Sequence, residues 1–419
     1  MLRNGEFAFR NGEVVCEEVS LAQIADEYGT PAYVYSKRGI LSRFHAYEDT
    51  LSGIPHRVCY AVKANSNLAV LALLAREGAG FDIVSEGELY RVLAAGGDPK
   101  TVVFSGVGKT ESAIQYAVET GIHSFNCESE AEIELIARIA VSLGQSASIA
   151  LRVNPDVDAM THPYISTGLR EHKFGIDISA AEEIYKRASQ LPGIVVEGVS
   201  CHIGSQLLDV APLLEAAGKM IDLVEKLRSQ GIAIRYLDLG GGLGVSYQRK
   251  EAAVSPCVFV EKLREKLSRL NITLMLEPGR SIVAEAGILL TRVLLVKESG
   301  RKKFVIVDAG MNDLIRPALY QAHHEIVPVK KSGEEPPIHA DIVGPVCETG
   351  DFFARARQIP SVAAGDLLAI LTAGAYGFVL ASNYNSRPRP CELLVDGSRV
   401  QVIRRRESLD ELIRGESAL

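Results

Sequence analysis

The sequence predicts an α/β protein built on a (β/α)8 TIM-like barrel, with a second, mostly β C-terminal domain. Apolar, β-type segments recur near residues 57–62, 80–84, 101–104, 122–126, 148–153, 196–201, 235–239 and 272–276. The stretches between them have helical starts, and eight βα units over roughly 230 residues match the size of such a barrel and exceed what a minimal doubly wound sheet needs. From about Ala286 the pattern changes to β segments without long helices between them: ILLTRVLLV, KFVIVDAG, HADIVGP, LLAIL, CELLV and RVQVI. The expected division is a barrel over residues 36–285 and a β domain made of 1–35 and 286–419.

In chain order, residues 1–35 read as short extended pieces, with Pro31 followed by YVYS, and a helix from about Lys37 to Leu51 leads into the opening strand. That strand, RVCYAVKAN over 57–65, alternates so that Cys59, Ala61 and Lys63 share one face, and a small-residue face suits a barrel interior. A lysine closing such a strand among apolar groups is where desolvation depresses an amine pKa and makes it nucleophilic, which points to a Schiff base. A surface lysine at a strand end is the plain alternative. Later helices open on caps: Ser129 with Glu132 as a capping box, Ser179 before AAEEIYKRA, and Asp209 before a run ending near Gly231. The wide gap between the fifth and sixth strands predicts an inserted functional loop, NPDVDAMTHPYISTGLREHKFGI. In the β domain, KKSGEEPP at 330–337 reads as a solvated connection, and Arg404 to Arg406 as the charged face of a C-terminal helix.

Composition narrows the function classes. A chain of 419 residues, 47% of them hydrophobic, can bury a large core in two or three domains. A formal charge of −7 and a pI near 5.8 argue against a nucleic-acid surface and favour small-molecule chemistry. No uninterrupted apolar run approaches membrane-spanning length, Ala286 to Val296 being broken by Arg292, and MLRNGEFAFRNGE is no signal peptide, so a cytoplasmic protein is expected. Cys16, Cys59, Cys127, Cys201, Cys257, Cys347 and Cys391 are odd in number and never spaced as C-x-x-C, which suggests neither a disulfide framework nor a zinc site. With no H-E-x-x-H among the histidines, no catalytic metal is expected.

In a parallel βα barrel the strand C-terminal ends converge, making neighbours of Lys63, Ser85, Ser105, Asn126, Arg152, His202, Gly240 to Gly242 and Glu277 to Arg280. Three consecutive glycines let backbone N–H groups wrap a phosphate, although a plain tight turn would look the same. Glu277-Pro278-Gly279-Arg280 brings an acid and a guanidinium to the same mouth, where a salt bridge is the simpler use. Pyridoxal phosphate unites them: it needs a lysine, phosphate donors, a carboxylate at the ring nitrogen and a flat group on the ring face. Lys63, the glycine run, Glu277 and His202 are the candidates, though His202 by itself would read as a core imidazole.

YAVKAN, RVNPDVDAMTHPYISTGLREHKFGI, CHIGSQ, LDLGGGLG, EPGRSIV, DAGMNDLIRPALY, GPVCETGD and GAYGFVLASNYNSRPRP occur in order over nearly the whole chain. Together they resemble the diaminopimelate decarboxylase family, a branch of the alanine racemase-like, fold type III pyridoxal phosphate enzymes. The lysine, glycine-run and E-P-G-R elements are shared across that superfamily, whereas MNDLIRPALY and GPVCETGD are the discriminating stretches. The resemblance implies decarboxylation of meso-2,6-diaminopimelate to L-lysine and carbon dioxide, the last step of lysine biosynthesis. It implies cofactor attachment at Lys63, His202 over the ring, Ser205 nearby, and Glu277 at the ring nitrogen. Phosphate would be held by the turn containing Gly241 and Gly242 and by the Pro278-Gly279-Arg280 backbone. Tyr376 would touch cofactor and substrate. Arg280, Arg316 and Tyr320 would surround the distal carboxylate, with Glu348 on the distal ammonium and Cys347 as proton donor. Cys347 and Glu348 would come from the partner subunit of a homodimer with shared active sites.

A substrate with two amino acid ends needs a carboxylate receptor, which arginine supplies bidentately, and an ammonium receptor, which glutamate supplies. Ser85-Glu86-Gly87 and Glu171-His172 stand where the family more often shows SGGEL and ENKFGI, departures that bear only on the pocket rim. A decarboxylase of ornithine, arginine or carboxynorspermidine is the nearest alternative, yet for ornithine and arginine the pair Arg280 and Arg316 would have no carboxylate to bind. A catalytically silent regulatory homologue would be expected to lose the lysine, the phosphate turn or the acid, and all are present. A racemase would need a second proton-transferring residue on the opposite ring face and no distal receptor.

Overall fold

The computed structural model describes residues 5–158, 173–248, 251–330 and 336–418 and divides into two compact units. One comprises Phe44–Val245 and Ala252–Ser281; the other comprises 1–43, Ser246–Glu251 and 282–419.

In the first unit eight strands close into a ring: β1 (His56–Ala61), β2 (Gly80–Ile83), β3 (Val102–Phe104), β4 (Ser124–Cys127), β5 (Ala147–Asn154), β6 (Ile194–Ser200), β7 (Tyr236–Asp238) and β8 (Thr273–Leu276). Every neighbouring pair is parallel, and β8 pairs with β1 to complete the barrel. Strands buried on both faces read as short continuous apolar runs, which is why the sequence rhythm finds them.

The interior is layered. Cys59, Val103, Ala150, Tyr236 and Met275 form one apolar cluster inside the ring. The Tyr236 ring occupies the space over Gly198, where a Cβ would lie 2.2 Å from it. Because side chains repeat every two residues along a strand, the next inward positions toward the strand C-termini follow from these. They are Ala61, Ser105, Arg152, Asp238 and Glu277, and Asp82 and Asn126 from the strands between add to the same lining, all of them buried. The barrel is therefore plugged by apolar groups low down and lined by polar ones at its mouth.

The caps hold with corrections. Ser129 Oγ accepts from Glu132 N at 3.3 Å, but the Glu132 carboxylate turns to the Glu128 N–H at 2.9 Å and to Lys109. The expected reciprocal bond to the Ser129 N–H is thus replaced, because the buried Lys109 ammonium needs a countercharge. The helix placed after Ser179 begins at Ile178, capped by Asp177, whose carboxylate accepts from Ser179 N at 2.8 Å. Asp209 accepts from Ala211 N at 3.0 Å and precedes helix Ala211–Ser229. Residues 159–172 of the inserted loop, including Glu171 and His172, and 331–335 of KKSGEEPP lie outside the described residues.

The second unit is built on strand Ala32–Ser36, which pairs antiparallel with Gly287–Ser299 on one side and parallel with Cys391–Asp396 on the other. Val34, Ile288, Leu290, Leu393 and Val395 pack there with Leu21 and Ile24. The last two belong to helix Leu21–Tyr28, which the sequence reading missed although Ser20 caps it and its apolar residues fall on one side. Strands Ile326–Pro328 and Phe352–Ile359 were also unanticipated. The Arg404–Arg406 run is not a helix face. Arg404 ends strand Arg399–Arg404 and pairs with Glu392, Arg405 bridges Glu411 at 2.6 Å, and the only helix after it among the described residues is Leu409–Leu412. No helix among the described residues is long and apolar enough to cross a membrane.

Candidate active site

Strand β1 stops at Ala61, and Lys63 lies two residues further on, in the single 3-10 turn Val62–Ala64. The chain leaves the pleat here because Ala61 N donates to Pro278 O at 3.1 Å and Tyr60 OH donates to Asn65 O at 3.0 Å, fastening both sides of the turn. The expected apolar wall around the amine is absent from the contact that matters. Lys63 Nζ meets the fully buried Asp82 carboxylate, since β2 sets Asp82 opposite Ala61 in register.

Behind this pair sits a group of buried acids. Asn126 Nδ2 lies 3.0 Å from Asp238 Oδ2, 3.2 Å from Glu277 Oε1 and 3.1 Å from Ser105 Oγ. Burial, then the Asp238 and Asp82 charges, push the Glu277 carboxyl well above the usual carboxylate range, with Lys63 opposing. Burial also raises Asp238, but hydrogen bonds from Glu277, the Gly240 N–H and Asn126 counter it. Of the two, Glu277 is the acid pushed further toward its protonated form. A cationic ring nitrogen placed against Glu277 would supply the countercharge that the cluster lacks.

Gly240 and Gly242 occupy the left-handed region, at φ 65° and 108°. A Cβ at Gly241 would come within 2.3 Å of Glu277 O, and one at Gly242 within 2.5 Å of Gly204 O, so these turns pack backbone against backbone. Gly240 N donates to Asp238 Oδ1 at 2.9 Å and Gly241 N to His202 Nδ1 at 3.3 Å. His202 Nδ1 is thus an acceptor and the ring hydrogen belongs on Nε2. Burial, reinforced by the Arg152 and Lys63 charges, holds this imidazole well below its ordinary pKa, so it is neutral. Arg280 is buried and donates from Nη2 to Ser205 Oγ at 2.9 Å.

Lys63, His202, Ser205, Gly241, Gly242, Glu277, Pro278, Gly279 and Arg280 all belong to the barrel unit and gather at its mouth. Pyridoxal phosphate fits this set: an amine, a neutral flat ring, a cup of backbone amides too tight for side chains, and a buried acid. Asp82 Oδ1 and Asn126 Oδ1 are buried there without a hydrogen-bond partner among the described residues, as expected where a polar ligand belongs. Asp82 and Asp238 were missed by the sequence reading. Their signal was an acid inside an apolar strand at the last inward-facing position.

Arg316, Tyr320, Cys347, Glu348 and Tyr376 belong to the β unit. Arg316 opens helix Arg316–Tyr320 and is buried, its guanidinium carbon 5.9 Å from the Tyr320 ring centroid. Cys347 and Glu348 are exposed, on a loop cinched by the Asp351 carboxylate, which accepts from Met311 N and Val346 N, each at 2.7 Å. Cys347 N donates to Asn385 Oδ1 at 2.7 Å, a further contact the sequence did not reveal. Tyr376 is held at φ 54°, in the left-handed region, a conformation that costs a non-glycine residue energy.

Residues 37–284 match the family described as pyridoxal-dependent decarboxylase, pyridoxal binding domain. The chain is 55% identical over 413 residues to a diaminopimelate decarboxylase of Pseudomonas aeruginosa, covering 99% of each chain. It is 51% identical to that of Vibrio cholerae, covering 98% of each. Among solved structures, the diaminopimelate decarboxylase of M. jannaschii in complex with L-lysine superimposes with a TM-score of 0.95 at 38% identity, covering 100% of this chain and 99% of that one. The enzyme of Helicobacter pylori complexed with L-lysine gives a TM-score of 0.90 at 44% identity, covering 94% and 98%.

Proposed function

The chain belongs to the diaminopimelate decarboxylase family of pyridoxal-dependent decarboxylases, and from that membership we infer that its barrel mouth carries the cofactor while its β unit supplies substrate and dimer contacts. It decarboxylates meso-2,6-diaminopimelate to L-lysine and carbon dioxide. The observation that best supports the assignment of roles is the buried Glu277, hydrogen-bonded within an acid cluster that also holds Lys63.

Bound pyridoxal phosphate supplies an electron sink for the pair left behind when the Cα–carboxylate bond breaks. Lys63 would hold the cofactor through its amine. Gly242, Gly279 and Arg280 offer backbone N–H groups to the phosphate, with Gly241 and Pro278 shaping their turns and Ser205 beside them. Glu277 holds its charge at the ring nitrogen, and neutral His202 covers the ring face. Tyr376 contacts cofactor and substrate. Arg280, Arg316 and Tyr320 bind the distal carboxylate, Glu348 binds the distal ammonium, and Cys347 returns a proton to Cα. The protein acts in the cytoplasm as a homodimer in which Cys347 and Glu348 complete the partner's site.

The direct test is carbon dioxide release from meso-diaminopimelate, ornithine and arginine in parallel, with lysine identified as the product of the first. Comparable release from ornithine would move the protein to the broader basic amino acid decarboxylases. Glu277→Gln keeps size and hydrogen bonding but cannot carry the countercharge, so kcat should fall by about 10²–10³-fold, as for loss of one electrostatic group aimed at developing charge. Unchanged kcat in the cofactor-loaded variant would remove Glu277 from the ring nitrogen. For the shared site, mixing inactive Lys63→Ala with inactive Cys347→Ala should restore up to about a quarter of wild-type activity, because half of the dimers are mixed and each has one intact site. No recovery despite proven subunit exchange would place Cys347 in its own chain's site.

A further inference from the structure

Arg316 is one corner of a buried arrangement within the β unit. Its Nε donates to His324 Nε2 at 3.3 Å, and His324 Nδ1 lies 2.9 Å from the Leu371 carbonyl oxygen. The Tyr247 ring lies against both, its centroid 4.9 Å from the guanidinium carbon and 5.2 Å from the imidazole centroid, edge to face with the latter at 77°. His324 has no exposed surface.

These contacts fix the tautomer. A carbonyl can only accept, so Nδ1 carries the ring hydrogen and Nε2 offers its lone pair to the Arg316 Nε–H. A doubly protonated ring would set one N–H against another, so the arrangement accommodates the neutral imidazole alone. A guanidinium can meet a carboxylate side-on, through Nε and one Nη, or end-on, through both Nη atoms. His324 commits the first of these edges. We infer that His324 is a positioning residue for substrate specificity: by accepting from Nε it obliges Arg316 to bind the substrate's distal carboxylate end-on, while Tyr247 fixes the plane of the fork. This rests on the assignment of Arg316 to that carboxylate.

The experiment compares His324→Phe and His324→Gln with wild type. Phenylalanine keeps a ring against Tyr247 but lacks the acceptor, whereas the glutamine amide oxygen reaches the place of Nε2. His324→Phe should raise KM for meso-diaminopimelate by about 10–100-fold with little change in kcat, the range expected for losing a hydrogen bond to a charged group used in binding. His324→Gln should recover most of the loss, with cofactor absorbance near wild type in both. A wild-type KM in His324→Phe, or no recovery by glutamine in a folded, cofactor-loaded protein, overturns the inference. So does an equal KM penalty for His324→Phe in an Arg316→Ala background, because the effect must then pass through something other than Arg316. If Arg316→Ala alone leaves KM and substrate preference intact, it is the assignment of Arg316 to the carboxylate that fails.

Discussion

Lys63→Ala abolishes decarboxylation, a loss expected to reach about 10⁵-fold or more, because an amine held at the reacting centre acts with an effective concentration that no solution amine matches. The structure adds a second effect. Lys63 Nζ is the cation facing Asp82, whose side chain is 0% exposed, so alanine leaves a buried carboxylate without its countercharge. Removing one partner of a buried pair costs about 3–5 kcal/mol, and the lower end applies because the Lys63 side chain is 37% exposed. The variant should therefore be inactive and also less stable. Lys63→Arg separates the two, since arginine keeps the charge but is no nucleophile at neutral pH: it should melt near wild type and remain inactive. Pairing Lys63→Ala with Asp82→Asn should return stability without activity. Measurable turnover in cofactor-saturated Lys63→Arg would remove Lys63 from the chemistry.

The second large effect concerns the far end of the substrate. Decarboxylation removes the scissile carboxylate and leaves lysine with the distal one, so lysine fits the receptor as product. Turned round to bring its only carboxylate to the reacting centre, it offers none to the receptor arginines. Arg280 and Arg316 are both buried, where an unmet polar group carries its full desolvation cost. Sites built to hydrogen-bond a substrate group reject the analogue lacking it by roughly 10⁴–10⁵-fold in kcat/KM. Lysine should accordingly release carbon dioxide at least about 10⁴-fold less efficiently than diaminopimelate. Arg316→Ala should narrow that ratio, mostly by lowering kcat/KM for diaminopimelate, with the cofactor spectrum unchanged. A ratio that survives Arg316→Ala would place carboxylate recognition elsewhere.

The barrel was legible because its strands are buried on both faces and announce themselves as apolar runs such as VCYA and VVF. The mouth residues followed from topology, since position after a strand fixes position in space. What escaped was set by contacts distant in sequence. Asp82 and Asp238 look like ordinary interruptions of apolar strands, and only closure of the ring brings them to Lys63 and Glu277. Lys63 continues the alternation of its strand in sequence, yet the bonds from Ala61 to Pro278 and from Tyr60 to Asn65 fold it into a turn. His324, beside another histidine in QAHHEI, carries no pattern that marks it, and its role emerges only from the tertiary contact with Arg316.

Strand Ala32–Ser36, entirely buried at the centre of the β unit, sets an order on the chain's birth. It leaves the ribosome before either neighbour: Gly287–Ser299 and Cys391–Asp396 emerge about 250 and about 355 residues later. At about 5–20 residues per second, the second edge waits roughly 20–70 s for its partner. During that interval AYVYS is an apolar strand with bare edges, the kind of segment that recruits wrong partners, while the whole barrel sequence is synthesised between its two halves. A nascent chain halted before Cys391 leaves the far edge open permanently, so translation arrest just short of that strand damages the β unit more than the loss of six strand residues suggests.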